Sequence, residues 1–253
     1  MRGLKGTSAL VTGGGGAIGR AICLRLAEEG CSVGVFDKNG AGAADTAKAI
    51  EAAGGRARAV PVDITDHEAV LAAVVEFEKA VAPTDILVNA AGWDRVGPFL
   101  DSEPALWDTL LAINLRGPLS VHQAVARGMV ARGRGRIVNI SSDAGRVGSS
   151  GEAVYAACKG GIIAFSKTLA RELAPARINV NVVCPGPTDT PLFNSFIGEG
   201  EEGRRIYEAL KKAIPFKRIG QPDDIPGIVA FLASADAAYI TGQVIVVDGG
   251  MVM

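Results

Sequence analysis

A tyrosine and a lysine four residues apart, Tyr155 and Lys159, stand in the second half of the sequence. Positions i and i+4 share one face of a helix, so the phenol and the ammonium group are expected to lie side by side. A phenol keeps its proton to about pH 10, and an adjacent cation makes it a usable acid or base nearer neutral pH. Ser142, which follows an apolar strand, can be brought beside both. The three residues predict acid–base catalysis; the alternative is a surface tyrosine and a solvated lysine that share a face by chance.

A glycine-rich turn follows the first apolar run, 8–12, and precedes a helical pattern at 17–29. This order predicts an anion site, because the helix N-terminus presents free N–H groups and glycine lets a diphosphate approach the backbone. Arg20 succeeds Gly19, so no Gly-Lys-Ser/Thr sequence follows and a P-loop is excluded.

An acidic residue, Asp37, ends the second apolar run, 31–36. A carboxylate about 20 residues past the glycines suits bidentate hydrogen bonding to the adenosine ribose hydroxyls. It would also repel a 2′-phosphate, so the sequence favours NAD over NADP. Lys38 could offset part of that repulsion, and an ordinary turn aspartate is the alternative reading.

Apolar strands alternate with helical patterns along the whole chain. Further strands are predicted at 56–62, 85–89, 137–140, 177–183 and 243–247, and further helices at 41–53, 66–80, 101–131 and 154–173. Pro118 is expected to bend or break the long helix near Asn114. The pattern predicts an α/β fold: a single doubly wound, Rossmann-type domain over 1–253, with a parallel sheet of about seven strands and helices on both faces. Ligands bind such sheets beyond the carboxyl ends of the strands.

The segment 191–216 differs from the rest of the chain. It is helical in part, rich in Gly and Glu around 198–203, and has no clean buried stripe. We predict that it forms a lid over a substrate; a solvated insertion is the alternative.

Composition narrows the classes of function. The 253 residues, 48% hydrophobic, supply a core for one large domain, and the net charge of −1 gives no indication of a nucleic-acid or membrane partner. With only two histidines, His67 and His122, a histidine-based metal site is not expected. No signal peptide or apolar segment of membrane-spanning length is found, so a cytoplasmic protein is expected.

The sequence resembles the short-chain dehydrogenase/reductase family over essentially its whole length. The matching motifs are Thr12-Gly13-xxx-Ala17-x-Gly19, Asp63-Ile64, Asn89-Ala90-Ala91-Gly92, Asn114, Ser142, Tyr155-xxx-Lys159 and Pro185-Gly186. The sequence departs from the family at Ala17, where glycine is usual, and at Ala90, where asparagine is usual.

The resemblance implies hydride transfer between a nicotinamide ring and a carbinol carbon. Tyr155 would be the acid/base and Ser142 would hydrogen-bond the substrate oxygen. Lys159 would bind the nicotinamide ribose and keep the Tyr155 pKa low, while Asn114 would hold a water in a proton relay. The implied cofactor contacts are Gly13, Gly16, Ala17, Ile18, Gly19, Asp37, Asp63, Ile64, Asn89, Ala91, Gly92, Tyr155, Lys159, Pro185, Gly186, Thr188 and Thr190.

A closer resemblance concerns the substrate. The stretches 91–94, 146–152 and 184–190 are similar to those of the 2-hydroxycyclohexanecarboxyl-CoA dehydrogenases, NAD enzymes of anaerobic alicyclic and aromatic acid degradation. It implies a cyclic or β-hydroxyacyl-CoA substrate, with the lid recognising the thioester arm. The implied substrate pocket consists of Ser142, Trp93, Val147, Glu152 and Tyr155.

Two alternative functions stay open. One is an NADPH-dependent 3-oxoacyl thioester reductase, and the other is a non-catalytic dinucleotide-sensing protein. The resemblance also implies a homo-oligomer, either a dimer or a tetramer, and the apolar stretch 246–253 is compatible with a subunit contact.

Overall fold

The strands are short apolar runs whose side chains are buried on both faces of one sheet. The computed structural model describes residues 1–198 and 200–252, and within them seven parallel strands pair in the order β3-β2-β1-β4-β5-β6-β7. The strands are β1 (Ser8–Thr12), β2 (Ser32–Asp37), β3 (Arg56–Pro61), β4 (Ile86–Asn89), β5 (Gly135–Ile140), β6 (Ile178–Pro185) and β7 (Val244–Val247). The predicted doubly wound parallel sheet is confirmed.

Helices connect the strands and cover the sheet. They are α1 (Ala17–Glu28), α2 (Gly40–Ala52), α3 (His67–Ala80), α4 (Pro104–Leu111), α5 (Gly117–Arg132), α6 (Ala144–Val147), α7 (Ala153–Leu173), α8 (Pro191–Ile197), α9 (Gly200–Ala213) and α10 (Pro226–Ala233). Across the described ranges 1–198 and 200–252, no helix has both the length and the apolar character needed to cross a membrane.

The core consists of two apolar layers, one on each face of the sheet. Successive strand residues point to opposite faces, so Ala9 and Val11 contribute to one layer and Leu10 to the other. Helices α1, α2 and α10 close the first layer, and α3, α5 and α7 close the second. Each fully buried Leu, Ile or Phe side chain stabilises the fold by about 1.5–3 kcal/mol, which is why the strands read as almost continuous apolar runs.

The predicted break in the long helix is not found. Helix α4 passes through one π-helical turn, Ala112–Arg116, into α5 without interruption. Pro118 lies in the first turn of α5, directly after the wide turn, where a missing N–H and the proline ring are tolerated. The π-turn therefore accommodates the proline and places Asn114 inside the helix.

The strand order reverses at β1, which places a crevice at the carboxyl ends of β1 and β4. The chain leaves β3 at one edge of the sheet and returns through α3 to β4 on the other side of β1. Such a reversal separates the connecting loops and leaves room for a ligand between them.

Candidate active site

A cavity of about 850 Å³ lies over the carboxyl ends of the strands. It collects the predicted site residues from both halves of the chain, with two exceptions, Asn89 and Asn114. The predicted residues that border it are Gly13, Gly16, Ala17, Ile18, Gly19, Asp37, Asp63, Ile64, Ala91, Gly92, Trp93, Ser142, Val147, Glu152, Tyr155, Lys159, Pro185, Gly186, Thr188 and Thr190.

The glycine turn at one end of the cavity is too tight for side chains. Gly13 has a φ of 68°, and a Cβ atom on Gly19 would lie 2.0 Å from the Gly13 carbonyl oxygen. Helix α1 starts at Ala17 with Gly16 as its N-cap, so no side chain caps its first N–H groups. Free N–H groups at a helix N-terminus suit a diphosphate, and the glycine cradle leaves the space that such a group needs. The Ala17 methyl borders this space.

Asp37 is fixed at the end of β2, next to this turn. Its Oδ2 accepts a hydrogen bond from Gly15 N at 3.0 Å, and its Oδ1 accepts one from Asn39 N at 2.8 Å. These bonds hold a carboxylate at the edge of the cavity, where the sequence predicts the adenosine ribose. Exposed Lys38 borders the same cavity.

The ends of β1 and β4 are linked by a hydroxyl group. Thr12 Oγ1 accepts hydrogen bonds from the main-chain N–H groups of Ala90 and Ala91, both at 3.2 Å. This threonine connects the two strands at the point where Ala90 replaces the usual asparagine of the family. The sequence analysis did not assign this role to Thr12.

The side chain of Asn89 does not reach the cavity, contrary to the prediction. It donates to Asn139 Oδ1 at 3.1 Å and lies 3.4 Å from the ring nitrogens of His122. Asn139 in turn donates to Ser166 Oγ at 2.8 Å. Burial lowers the pKa of His122 to about 4, so this histidine is neutral at physiological pH. Alternation along β4 turns the Asn89 amide into this buried polar chain.

Asn114 is buried behind the cavity and positions one of its walls. Its Oδ1 accepts from Trp93 N at 3.1 Å, and its Nδ2 donates to the carbonyl oxygens of Trp93 at 2.7 Å and Leu110 at 3.1 Å. Both amide hydrogens are therefore used, and the side chain has none left to hold the expected water. Pro118 has no N–H to donate to the main-chain carbonyl of Asn114, so that carbonyl is the atom that could accept from a water.

The three predicted catalytic side chains meet at the other end of the cavity. Lys159 is buried; its Nζ donates to Ile140 O at 3.1 Å and lies 5.5 Å from the centroid of the Tyr155 ring. Ser142 Oγ accepts from Ala144 N at 3.2 Å and faces Tyr155. Burial lowers the pKa of Lys159 to about 8.

The environment of Tyr155 raises its pKa, whereas the sequence predicted a lowering by Lys159. Burial is the largest cause, the carboxylates of Glu152 and Asp94 add to it, and the contact with Ser142 acts in the opposite direction. Lys159 faces the tyrosine ring and gives a hydrogen to Ile140 O. In this arrangement the ammonium group does not lower the tyrosine pKa.

Two buried carboxyl groups beside the cavity were not predicted as functional residues. Asp94 and Asp143 are buried, and no described residue donates a hydrogen bond of normal geometry to their oxygens. Burial, as the main cause, raises the pKa of each to about 7. Both directly follow a strand end or its loop in the sequence, and this position was the only available signal.

Asp143 also meets the C-terminal segment. It contacts Asp248, which accepts from Gly250 N at 2.8 Å and Val252 N at 2.6 Å. Arg146 donates to the Val252 carbonyl at 3.2 Å. These contacts bring residues of the segment 248–252 to the wall of the cavity.

Replacing Asp143 with Asn is expected to stabilise the protein above neutral pH. The folded protein raises this carboxyl pKa from 3.8 to about 7, so the stabilising contribution of the proton is complete below pH 3.8 and is lost as the pH rises to 7. Asp143→Asn should therefore raise the free energy of unfolding at pH 8 by about 1–2 kcal/mol and flatten its pH dependence. Urea unfolding at pH 5 and pH 8 measures this, with exposed Asp108→Asn as the control; an unchanged pH dependence would contradict it.

An apolar roof covers the cavity. It is formed by side chains of α8 and α9: Leu192, Phe193, Phe196, Ile197, Ile206 and Leu210. Thr190 Oγ1 caps α8 by accepting from Phe193 N at 3.1 Å, and Thr188 Oγ1 donates to Gly186 O at 2.9 Å. The segment 191–216 thus begins beside the cofactor end of the cavity. Between residues 1 and 198 and between 200 and 252, no three His, Cys, Asp or Glu side chains are grouped so as to hold a metal ion.

Comparison with known proteins identifies the family. A family model described as enoyl-(acyl carrier protein) reductase matches residues 15–252. The chain belongs to the short-chain dehydrogenase/reductase family. Its members are oxidoreductases that bind a nicotinamide cofactor, and the shared fold is the seven-stranded sheet described above.

Three short-chain dehydrogenases/reductases illustrate the similarity. The short-chain reductase NovJ of Streptomyces niveus is 40% identical over 96% of this chain and 92% of its own length. The (3R)-3-hydroxyacyl-CoA dehydrogenase of Mus musculus is 37% identical over 99% of this chain and 98% of its own. The crystal structure of a 3-oxoacyl-[acyl-carrier protein] reductase with bound NAD from Brucella melitensis is 33% identical, with a TM-score of 0.89, and covers 98% of this chain and 92% of that one.

Proposed function

We propose that the protein is an NAD-dependent dehydrogenase that interconverts a secondary alcohol and a ketone on a cyclic or β-hydroxyacyl-CoA, such as 2-hydroxycyclohexanecarboxyl-CoA. One observation carries the proposal. A single cavity joins the glycine turn and Asp37 at one end to Ser142, Tyr155 and Lys159 at the other. A dinucleotide needs both ends, and a secondary alcohol needs the second.

The chain's own groups divide the work. The nicotinamide of bound NAD supplies the acceptor or donor of the hydride. The N–H groups at the start of α1 bind the diphosphate, and Asp37 accepts hydrogen bonds from the adenosine ribose. Ser142 hydrogen-bonds the substrate oxygen, and Tyr155 takes the carbinol proton or returns it. Lys159 binds the nicotinamide ribose through an ammonium group already oriented by Ile140 O.

The proton has a path away from Tyr155. Lys159 is buried beside the tyrosine ring, and burial lowers its pKa to about 8, close to the range where a group exchanges protons readily. The main-chain carbonyl of Asn114, which Pro118 leaves without its usual donor, can hold a water behind the lysine. We assign Asn114 to this relay through its backbone, and to the placement of Trp93 through its side chain.

The apolar roof supports an acyl substrate. Phe193, Phe196 and Leu210 offer apolar surface over the reacting end, and Trp93 and Val147 border the same space. We therefore assign segment 191–216 as the substrate lid. The relatives named (3R)-3-hydroxyacyl-CoA dehydrogenase and 3-oxoacyl-[acyl-carrier protein] reductase support a thioester as the substrate class.

The second candidate is an NADPH-dependent 3-oxoacyl thioester reductase. It is favoured by exposed Lys38, which borders the cavity beside Asp37 and could pair with a 2′-phosphate. The fixed carboxylate of Asp37 favours the NAD enzyme, because it lies in the same place and repels that phosphate.

A thioester assay tests the proposed function. We expect 2-hydroxycyclohexanecarboxyl-CoA or 3-hydroxybutanoyl-CoA to reduce NAD with a kcat/KM at least about 100-fold above that of cyclohexanol or 2-butanol, because binding of the remote CoA arm contributes to the transition state. Formation of NADH is followed by absorbance. Equal or higher kcat/KM for the simple alcohols would contradict a thioester substrate.

The setting of the enzyme follows from its surface and its thiols. Phe99, Leu100 and Phe216 are exposed apolar side chains, which supports a homo-oligomer, either dimer or tetramer, whose mass light scattering measures. The four cysteines are free and buried, which supports a reducing, cytoplasmic setting.

A further inference from the structure

Asp94 is the most unusual side chain in the wall of the substrate region. It is 3% exposed, and among residues 1–198 and 200–252 no donor makes a hydrogen bond of normal geometry to either of its oxygens. A buried carboxyl without a donor is costly unless it is protonated or shares a proton. Neither the glycine turn nor the Ser142–Tyr155–Lys159 group requires it.

Two sets of hydrogen bonds hold Asp94 in this place. The Asn114 amide grips both main-chain polar groups of Trp93, the residue before it. Three residues later, Gly97 N donates to Gly151 O at 2.9 Å, which joins the loop after β4 to the residue before Glu152. Asp94 is thereby pressed against Glu152, and the two form a carboxyl pair.

Two carboxyl groups in contact cannot form a hydrogen bond unless one of them carries a proton. Burial first, and the contact with Glu152 second, raise the pKa of Asp94 to about 7. The other groups that face Asp94 are the Arg95 main-chain amide, Tyr155, Cys158 and Lys159, and of these only Lys159 is a cation. The carboxyl pair thus holds one proton near neutral pH and a net charge of about −1, and a second charge develops above pH 7.

The carboxyl pair lies where the main cavity meets a second one. A neighbouring cavity of about 580 Å³ is bordered by Asp94, and Trp93, Val96, Glu152 and Tyr155 border both cavities. Any substituent on the carbon next to the reacting carbinol has to pass this junction, because Tyr155 marks the position of the carbinol oxygen.

We propose that the carboxyl pair is a charge filter: it excludes a free carboxylate beside the reacting carbinol and admits the same acyl group when it is masked as a thioester or ester. The inference rests on the proposed function, since it assumes an acyl group next to the carbinol. Its physical basis is Coulomb repulsion. Two like charges about 6 Å apart at an effective dielectric constant of about 20 lower an association constant by roughly 10- to 100-fold.

Three probes that share one carbon skeleton test the charge filter: 3-hydroxybutanoate, its methyl ester and 3-hydroxybutanoyl-CoA. For the wild-type enzyme we expect kcat/KM for the free acid to be ~10- to 100-fold below that for the methyl ester, with the gap widening as the pH rises through 7. Glu152→Gln and Asp94→Asn should each raise the acid-to-ester ratio by ~10-fold or more, mainly through the KM of the acid, and remove the pH dependence of the ratio. Asp101→Asn, an exposed carboxylate of the smaller cavity, is the matched control and should leave the ratio unchanged.

The outcomes separate the two proposals. An acid-to-ester ratio that Glu152→Gln and Asp94→Asn leave unchanged overturns the charge filter, whatever the CoA thioester does. A wild-type enzyme that uses the methyl ester as well as the CoA thioester overturns the CoA substrate, while the acid-to-ester comparison still judges the filter. Turnover of none of the three probes by the wild-type enzyme overturns both. Because Glu152 is only half-buried, Glu152→Gln provides a folded variant if Asp94→Asn does not fold.

Discussion

Tyr155→Phe is expected to lower kcat by about 10³-fold, because it removes the only proton that the proposed mechanism exchanges with the substrate. Phenylalanine keeps the ring that faces Lys159 Nζ at 5.5 Å, so the packing of α7 is retained. Steady-state formation of NADH measures kcat, and calorimetry with NAD alone measures cofactor binding. The dissociation constant of NAD should stay measurable, since the glycine turn and Asp37 are untouched.

Tyr239→Phe is the matched control for this substitution. Tyr239 is fully exposed and far along the chain from the catalytic helix, so the same loss of a hydroxyl should leave kcat unchanged. Turnover of Tyr155→Phe within about threefold of the wild-type value would refute the acid/base role, because a positioned acid or base contributes at least about 100-fold.

The second large effect concerns the cofactor. We expect the wild-type enzyme to prefer NAD over NADP by at least about 100-fold in kcat/KM, because charged hydrogen bonds of about 1.5–3 kcal/mol are gained with one cofactor and replaced by repulsion with the other. Asp37→Ser should bring the ratio near one, both by losing ribose contacts and by releasing Gly15 N and Asn39 N from their acceptor. Steady-state kinetics with both cofactors and one alcohol give the ratio.

Asp45→Ser controls for the loss of a negative charge near the same region. Asp45 is exposed on α2 and does not border the cavity, so its removal should leave the cofactor ratio unchanged. A wild-type preference for NADP would refute the role of Asp37 and would support pairing of Lys38 with the 2′-phosphate, as in the reductase alternative.

The sequence predicted the sheet because its information is local. Each strand is a short apolar run between turn residues, and the alternation with helices leaves few arrangements for a parallel sheet. Strand ends then predicted the cavity, since carboxyl ends of parallel strands share one edge. For this reason Gly13, Asp37, Ser142 and Pro185, which are distant in the sequence, could be placed together correctly.

What the sequence did not predict depends on the direction of side chains and on contacts between distant segments. Asn89 carries an amide at a strand end, but the pleat turns it toward Asn139 and away from the cavity. Asn114 was expected to use its amide on a water, yet a π-turn aims that amide at Trp93. The raised pKa of Tyr155 has the same origin, because it depends on Asp94, whose approach requires two loops to meet.

The buried polar chain around His122 has a consequence for enzymology. An inflection near pH 7 in a rate profile is habitually assigned to an imidazole, and reagents that acylate imidazole are used to support the assignment. Here burial lowers the pKa of His122 to about 4 and hides its ring beneath the sheet, while Asp94 and Asp143 have pKa values of about 7. In this enzyme a neutral inflection would be the signature of carboxylic acids, and resistance to an imidazole reagent would say nothing against it.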